Sequence, residues 1–256
     1  MKPLQPKPGL SRQVYQSILD AMAEGQLAPG AHLVQERIAA QLAVSRHPVQ
    51  QALAMLRNDG LVEERGKRGL FVAPLDLQTV SHRYQVRAAL DGLAARLAAE
   101  RARSDCAAAA QMAREGGALL AAGRAAIAKG SIAGLVQRDV AFHEFVYAAS
   151  GNPLIAQTAA AHWRHMRRAM AAVLRHAGPP AAIWRQHESM LDAMAAGDAD
   201  RAEASAVAHV QAAAERLRAA MAQPADGRTA GRSRKKPSPL AARTRAARTR
   251  SARSHA

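Results

Sequence analysis

Cysteine occurs once in the 256 residues, as Cys106, which excludes an internal disulfide framework and any Cys-rich zinc module. Aromatic residues are also scarce, at 3%. Strands draw on β-branched and aromatic side chains, whereas alanine, abundant here, is the strongest helix former. The expectation is closely packed helices rather than a sandwich or barrel. No apolar run approaches the roughly 18 residues of a membrane span. The opening Met1-Lys2-Pro3-Leu4-Gln5-Pro6 lacks the apolar stretch of a secretory signal. A cytoplasmic protein without a membrane partner is expected. What is present fits a folded chain: 49% apolar and 22% charged residues, and a length expected to form one or two domains, each with its own core.

Charge is one-sided. The formal net charge of +16 points to a polyanionic partner. More than half of the excess lies in residues 224–256, where ten Lys and Arg stand against the single acid Asp226. This segment of Arg, Ala, Ser, Thr and Pro buries too little apolar surface to fold alone and reads as a disordered basic tail. Two roles stand open for it: salt-dependent contact with nucleic-acid phosphates, or a solubilising appendage.

Residues 1–76 read as one domain. In 11–24, Val14, Ile18, Leu19 and Met22 recur at helical spacing, with Ser11 at an N-cap position and Gly25 at the end. Pro29-Gly30 make a turn. A second helix runs from Val34 to Leu42. After the short break Ala43-Val44-Ser45, Ser45 is expected to cap a third helix reaching Asp59, with Pro48 in its first turn. Leu61–Glu64 and Leu70–Val72 then read as two short strands around the basic turn Arg65-Gly66-Lys67-Arg68-Gly69. Three short helices followed by a hairpin describe a winged helix-turn-helix. Arg46, His47, Gln50 and Gln51 fall in the first turns of the third helix, the part that meets base edges in a major groove. There Arg pairs with guanine and Gln with adenine. Arg65, Lys67 and Arg68 suit phosphates or the minor groove. The alternative is a winged helix that docks onto protein, with an ordinary charged surface.

Residues 11–73 resemble the DNA-binding domain of the GntR family of bacterial transcription regulators. The resemblance rests on Gln26-Leu27-Ala28-Pro29-Gly30-Ala31-His32-Leu33, Glu36-Arg37-Ile38-Ala39, Val44-Ser45-Arg46-His47-Pro48-Val49-Gln50-Gln51-Ala52-Leu53, Leu56, Gly60-Leu61-Val62 and Gly69-Leu70-Phe71-Val72. It implies that Arg37 and Arg46 contact DNA and that the wing near Gly66 enters the minor groove. His47 stands where the family often has Thr, and Gln50-Gln51 where it often has Arg-Glu. The positive charge and guanine reader of that Arg are missing, so the operator sequence does not carry over from relatives.

Residues 77–223 carry no strand signal. Six helices are expected, at 80–103, 105–122, 131–149, 153–176, 180–196 and 199–222. The breaks fall at Gly123, Lys129-Gly130, Gly151-Asn152-Pro153, Gly178-Pro179-Pro180 and Gly197-Asp198. Pro153 and Pro180 open helices, and Asp198 caps the last. The fold class is therefore mainly α: a winged helix-turn-helix with a small β-hairpin wing, then an all-α bundle.

Polar residues interrupt the apolar stripes of this bundle. Asp139 and His143 lie one turn apart on the face of Ile132, Leu135, Val136, Val146 and Tyr147. His187 shares a face with Ile183, Trp184, Met190, Leu191 and Met194, and His209 one with Ala206, Val210, Ala213 and Leu217. A carboxylate and imidazoles aimed into a core cost several kcal/mol unless paired or coordinated. One divalent ion would satisfy all four, and the donor set of one Asp and three His suits zinc, nickel, manganese or iron. The other reading is a hydrogen-bonded core in which Asp139 and His143 pair with each other. His162, His165 and His176 are expected at the surface or lining grooves.

Residues 80–221 resemble the FCD effector domain that follows the winged helix in one large GntR subfamily. The marks are Arg87-Ala88-Ala89-Leu90-Asp91, Ala94-Ala95-Arg96-Leu97-Ala98-Ala99, Asp139-x-x-Phe142-His143, Ala149-Ser150-Gly151-Asn152-Pro153, His187, Gly197-Asp198, Ala202 and His209. The resemblance implies that Asp139, His143, His187 and His209 ligate a metal and that a small organic acid binds beside it or onto it. Asp91 stands where Glu is more usual. Arg87 either faces the cavity and pairs with the acid's carboxylate, a geometry Arg suits, or lies on an exposed helix face. The expected whole is a homodimeric, ligand-controlled regulator that reads a roughly palindromic operator, with the linker near Pro74–Gln78 relaying the effector's signal. Two rivals remain at this point. One is a metalloenzyme using the Asp/His centre, against which stand the lack of a separate general base and of a His-Glu-x-x-His signature. The other is a nucleoid-type DNA-binding protein without effector.

Overall fold

The first helix forms because its apolar residues recur every three or four positions. Val14, Tyr15, Ile18, Leu19 and Met22 are buried along α1, Leu10–Glu24. Gly25 ends it at φ 80°, with its N–H on the Met22 carbonyl. Ser11, expected at the N-cap, lies inside the helix: Gly9 takes the cap position and the Ser11 hydroxyl donates to Gln51 instead. The structure is a computed structural model and describes residues 9–177 and 181–222, without the side chains of Lys67, His176 and Ala177. The expected tail at 224–256, the Gly178-Pro179-Pro180 break and the side chain of His176 lie outside the described residues.

Helices α2, Gln35–Gln41, and α3, Arg46–Asn58, are joined by a tight turn in which Ala43 adopts φ 52°. Ser45 occupies the α3 cap position, but its side chain accepts no backbone hydrogen bond, contrary to the expected cap. Strands β1, Val62–Glu64, and β2, Leu70–Val72, pair antiparallel, with Val62 opposite Val72 and Glu64 opposite Leu70. A 3-10 turn at Gly66–Arg68 joins them, and Gly66 and Gly69 supply the left-handed backbone it needs, at φ 55° and 96°. A third strip, not expected from the sequence, lies on the other edge of β2: His32 bridges Phe71 and the Leu33 N–H donates to Leu70. Val14, Ile18, Leu19, Ile38, Val49, Leu53, Leu56, Leu61 and Val72 form the core of this head.

The six expected helices follow as α4, Leu77–Ser104; α5, Cys106–Lys129; α6, Ile132–Ala149; α7, Pro153–Ala177; α8, Ala181–Ala195; and α9, Ala199–Ala222. Asp76 caps α4 by accepting from the N–H groups of Gln78 and Thr79, so the expected linker is shorter than Pro74–Gln78. Asp198 caps α9 as expected, 3.1 Å from the Arg201 N–H. The break expected at Gly123 is absent, and α5 runs on to Lys129. The physical reason is packing. A Cβ on Gly123 would lie 2.1 Å from two Trp184 ring carbons, so this glycine admits an indole rather than ending a helix.

Helix α4 is the spine of the bundle. Its Ala94, Ala95, Ala98, Ala99 and Ala102 are buried, and α9 meets it with Ala202, Ala206 and Ala214. Small side chains let the two axes approach closely, which explains how a core so poor in aromatics still fills its volume. Helices α5–α8 pack around the pair. No described helix is long and apolar enough to cross a membrane.

Candidate metal centre and nucleic-acid interface

Three helices bring four ligating groups to one point inside the bundle. Asp139 and His143 come from α6, His187 from α8 and His209 from α9. One ligand atom from each lies within 4.8 Å of the others. All four are buried, at 0–5% exposure. The His187 and His209 Nε2 atoms are 3.3 Å apart, the His187 Nε2 is 3.4 Å from an Asp139 oxygen, and the His143 Nε2 is 3.8 Å from the other.

The far sides of two of the rings fix which nitrogen faces inward. His143 Nδ1 lies 3.1 Å from Asp91 Oδ2, and His209 Nδ1 lies 3.1 Å from Gln186 Oε1. A proton on each Nδ1 leaves the Nε2 lone pair aimed at the centre, the arrangement that outer-sphere acceptors impose on metal-bound imidazoles. His187 Nδ1 and Asp139 Oδ2 are buried and make no hydrogen bond. Burial, reinforced by nearby positive groups including His143 and Arg87, holds His187 and His209 well below the ordinary imidazole range, so both are neutral ligands at pH 7. Burial raises Asp139 above the ordinary carboxylate range, against the pull of His143 and Arg87. A carboxylate short of positive charge beside neutral imidazoles fits a divalent cation. Asp139 and His143 paired alone would leave the converging His187 and His209 nitrogens without a role.

Arg87 and Asp91, one turn apart on α4, are both buried, so Arg87 is not an exposed helix-face residue. The Arg87 Nε donates to Asp91 Oδ2 at 3.1 Å, and its Nη2 lies 2.8 Å from His143 Nε2. The guanidinium also covers the Trp163 ring, 4.1 Å from its centroid. Burial opposes ionisation of Asp91, but Arg87 and His143 overcome it and hold the carboxyl below its usual range. The Tyr147 hydroxyl donates to its second oxygen. A small cavity adjoins the centre, lined by Asp139 and His209 on one side and by Tyr84, Arg87, Trp184 and Arg216 among others. The sequence reading missed Gln186, Tyr147, Trp163 and Arg216. Arg216 carried a signal, since it lies two turns from His209 on the same face of α9.

At the other end of the chain, Arg37, Ser45, Arg46, His47, Gln50 and Gln51 are all exposed around the start of α3. Some are already engaged. Arg46 pairs with Glu36, and Gln51 holds His47 at 2.9 Å besides accepting from Ser11. At the wing, Arg65, Gly66 and Arg68 are exposed. The Arg65 Nε sits 2.7 Å from Glu63, and its guanidinium lies over Phe71 at 5.1 Å. Lys67 places its backbone in the same turn. Of the remaining histidines, His162 and His165 are half-buried on α7.

Helix α7 holds the head against the bundle. The Arg164 Nε lies 3.1 Å from Asp59, which ends α3 and also accepts from the Tyr15 hydroxyl at 2.5 Å. Arg168 donates to the Ala73 carbonyl, and Arg175 donates to Ala23 at 2.7 Å near the C-terminal end of α1.

Comparisons with known proteins agree with this architecture. The family model described as bacterial regulatory proteins, gntR family, matches residues 10–72, and that of the FCD domain matches residues 82–212. An HTH-type transcriptional regulator in an unstable DNA locus of Streptomyces ambofaciens is 32% identical over 81% of this chain and 86% of its own length. The HTH-type transcriptional repressor RspR of Escherichia coli K12 is 25% identical over 84% of this chain and 92% of its own. Among solved structures, E. coli McbR/YncC shares the fold with a TM-score of 0.69 at 23% identity, covering 82% of this chain and 98% of its own. The domains and relatives are those of transcription regulators and not of enzymes. The chain is a DNA-binding transcription regulator that belongs to the GntR family, in the branch that carries an FCD domain.

Proposed function

We propose that this regulator binds its operator as a homodimer and releases it when a small organic acid binds beside a divalent metal in the helical domain. In this reading residues 1–76 read DNA, residues 77–223 pair the chains and hold the ligands, and the basic segment 224–256 adds phosphate contact. Arg37, Ser45, Arg46, His47, Gln50 and Gln51 meet the major groove, while Arg65, Gly66, Lys67 and Arg68 follow phosphates into the minor groove. Arg46 exchanges Glu36 for a base edge or phosphate when DNA arrives.

Asp139, His143, His187 and His209 hold the metal, with zinc, nickel, manganese and iron all compatible with the donors. A bound divalent ion supplies a Lewis-acid contact for a carboxylate. Arg87 contributes positive charge from the wall. Release rather than recruitment follows the one relative named as a repressor, RspR. A ligand acts in this way only through a difference in affinity between two head arrangements. The observation that carries the reading is the convergence of a carboxylate and three imidazoles within 4.8 Å in a core where Asp139 and His187 keep unpartnered atoms.

The test joins metal content to operator binding. Purified wild type is expected to hold about one equivalent of metal per chain. His143→Ala and His187→Ala are expected to lose it, and chelation should lower the unfolding midpoint of wild type alone. Small carboxylates should then weaken operator binding by the wild type and not by the variants. A wild type that stays metal-free after loading, or an operator affinity that ignores every acid tried, overturns the reading.

A further inference from the structure

We propose that the cavity beside the Asp139 and histidine centre takes a short-chain aliphatic monocarboxylate, with Arg216 as the residue that receives its carboxylate. The proposal rests on the reading that this site binds an organic acid, and it names the class and the recognising side chain.

Arg216 is on the page with a donor to spare. Its Nη2 is buried and makes no hydrogen bond. It forms no ion pair among the described residues, although Asp139, Tyr84 and Glu215 lie within electrostatic reach. Arg87, the other guanidinium on this wall, is already engaged with Asp91 and His143. A buried charged donor without an acceptor costs more than the ~1–3 kcal/mol of a neutral one. An anion that enters from solvent and meets Nη2 removes that cost, and a carboxylate matches the guanidinium fork. Arg216 and His209 lie on one face of α9 and line the same cavity, so an acid held by Arg216 is also beside the metal-ligating atoms.

The rest of the wall decides what the acid carries behind its carboxylate. Leu135, Met170, Val173, Leu174, Ile183 and Ala213 face the space, and none offers a donor. A second carboxylate pressed against them would lose its water with no replacement, a penalty of several kcal/mol. An alkyl tail gains from the same contact, at about 0.8 kcal/mol per buried methylene. The space is small, about 50 Å³. At roughly 10–15 Å³ for each water-sized occupant, it admits about three to five such units, the size of propionate and its near neighbours.

The experiment titrates metal-loaded full-length protein with propionate, butyrate, malonate, succinate and citrate, read by calorimetry and by the unfolding midpoint. Propionate or butyrate is expected to bind at least tenfold more tightly than the polyacids. Arg216→Gln should lose at least tenfold in propionate affinity while keeping its metal, and Arg216→Lys should recover part of the loss. Ala213→Leu, which fills the apolar end, should weaken butyrate more than propionate and provides a second variant should Arg216→Gln fail to fold. Tighter binding of succinate or citrate, unchanged propionate binding by Arg216→Gln, or no binding of any monocarboxylate overturns the proposal. If propionate binds through Arg216 but operator affinity does not change, the regulatory reading fails and the ligand assignment stands. A protein that never holds metal removes the metal anchor, and propionate binding that still depends on Arg216 retains the assignment.

Discussion

Arg164 of α7 grips Asp59, the residue that ends the DNA-reading helix α3, with Nε 3.1 Å from one carboxylate oxygen and Nη2 3.3 Å from the other. The preceding residue, Trp163, lies under Arg87, whose guanidinium touches His143. Two adjacent positions on α7 therefore face opposite ways, one to the candidate ligand centre and one to the head. Asp59→Asn and Arg164→Ala should each loosen the head. The pair is partly exposed, so the loss of stability should be about 1 kcal/mol. Hydrogen exchange at the end of α3 should rise in both variants, and the double variant should show non-additivity. Independent effects would remove the pair from any relay.

Gly123→Ala sets two effects against each other. Alanine is favoured over glycine inside a helix by about 1 kcal/mol. The new methyl, however, would meet Trp184 ring carbons at 2.1 Å, and overpacking of this kind costs about 1–3 kcal/mol. Net destabilisation is expected in urea unfolding followed by tryptophan fluorescence. A variant more stable than wild type would mean that Trp184 has another place to go.

The winged helix allows base reading and phosphate contact to be separated. Arg46→Ala should cost about 1–3 kcal/mol at the preferred operator and relax its sequence preference. Arg68→Ala should weaken all sequences alike and lower the salt slope of binding by about one. Competition binding at two salt concentrations distinguishes the two patterns, and identical behaviour of the variants would contradict the division of labour.

His165 makes stability depend on acid. Burial, aided by Arg83, pushes its imidazole from the usual 6.5 down to about 4 in the fold. The unfolded chain therefore binds more protons between those values, and the stability this group contributes is complete above about pH 6.5 and falls as pH drops toward 4. The urea midpoint of wild type should decline faster over this interval than that of His165→Gln. Parallel profiles would exclude His165 as a source.

Much of this was readable beforehand because helices announce themselves locally. Asp139 and His143 at i and i+4, and His187 and His209 each alone on an apolar stripe, are visible without any tertiary knowledge. The partners that complete the centre are not. Gln186 sits next to His187 in sequence yet bonds His209 on another helix, and Tyr147 reaches back to Asp91 from α6 to α4. Gly123 was misread for the same reason. A glycine in a helical run signals a stop when only the local chain is known, and only the position of Trp184 shows that it is a notch. The Arg164, Arg168 and Arg175 contacts bind a bundle helix to the head, so no local pattern encodes them.

The depth of the histidine cluster sets a clock. With every ligating residue at 0–5% exposure, no ion reaches the centre through open water. Uptake and loss must wait for α8 or α9 to swing away from the spine, an opening that costs a sizeable fraction of the bundle's stability. Whatever ion is captured during folding is thereby retained over many encounters with smaller, faster-moving molecules. Such a protein would register a passing metabolite promptly and a shortage of metal only slowly, through newly made chains.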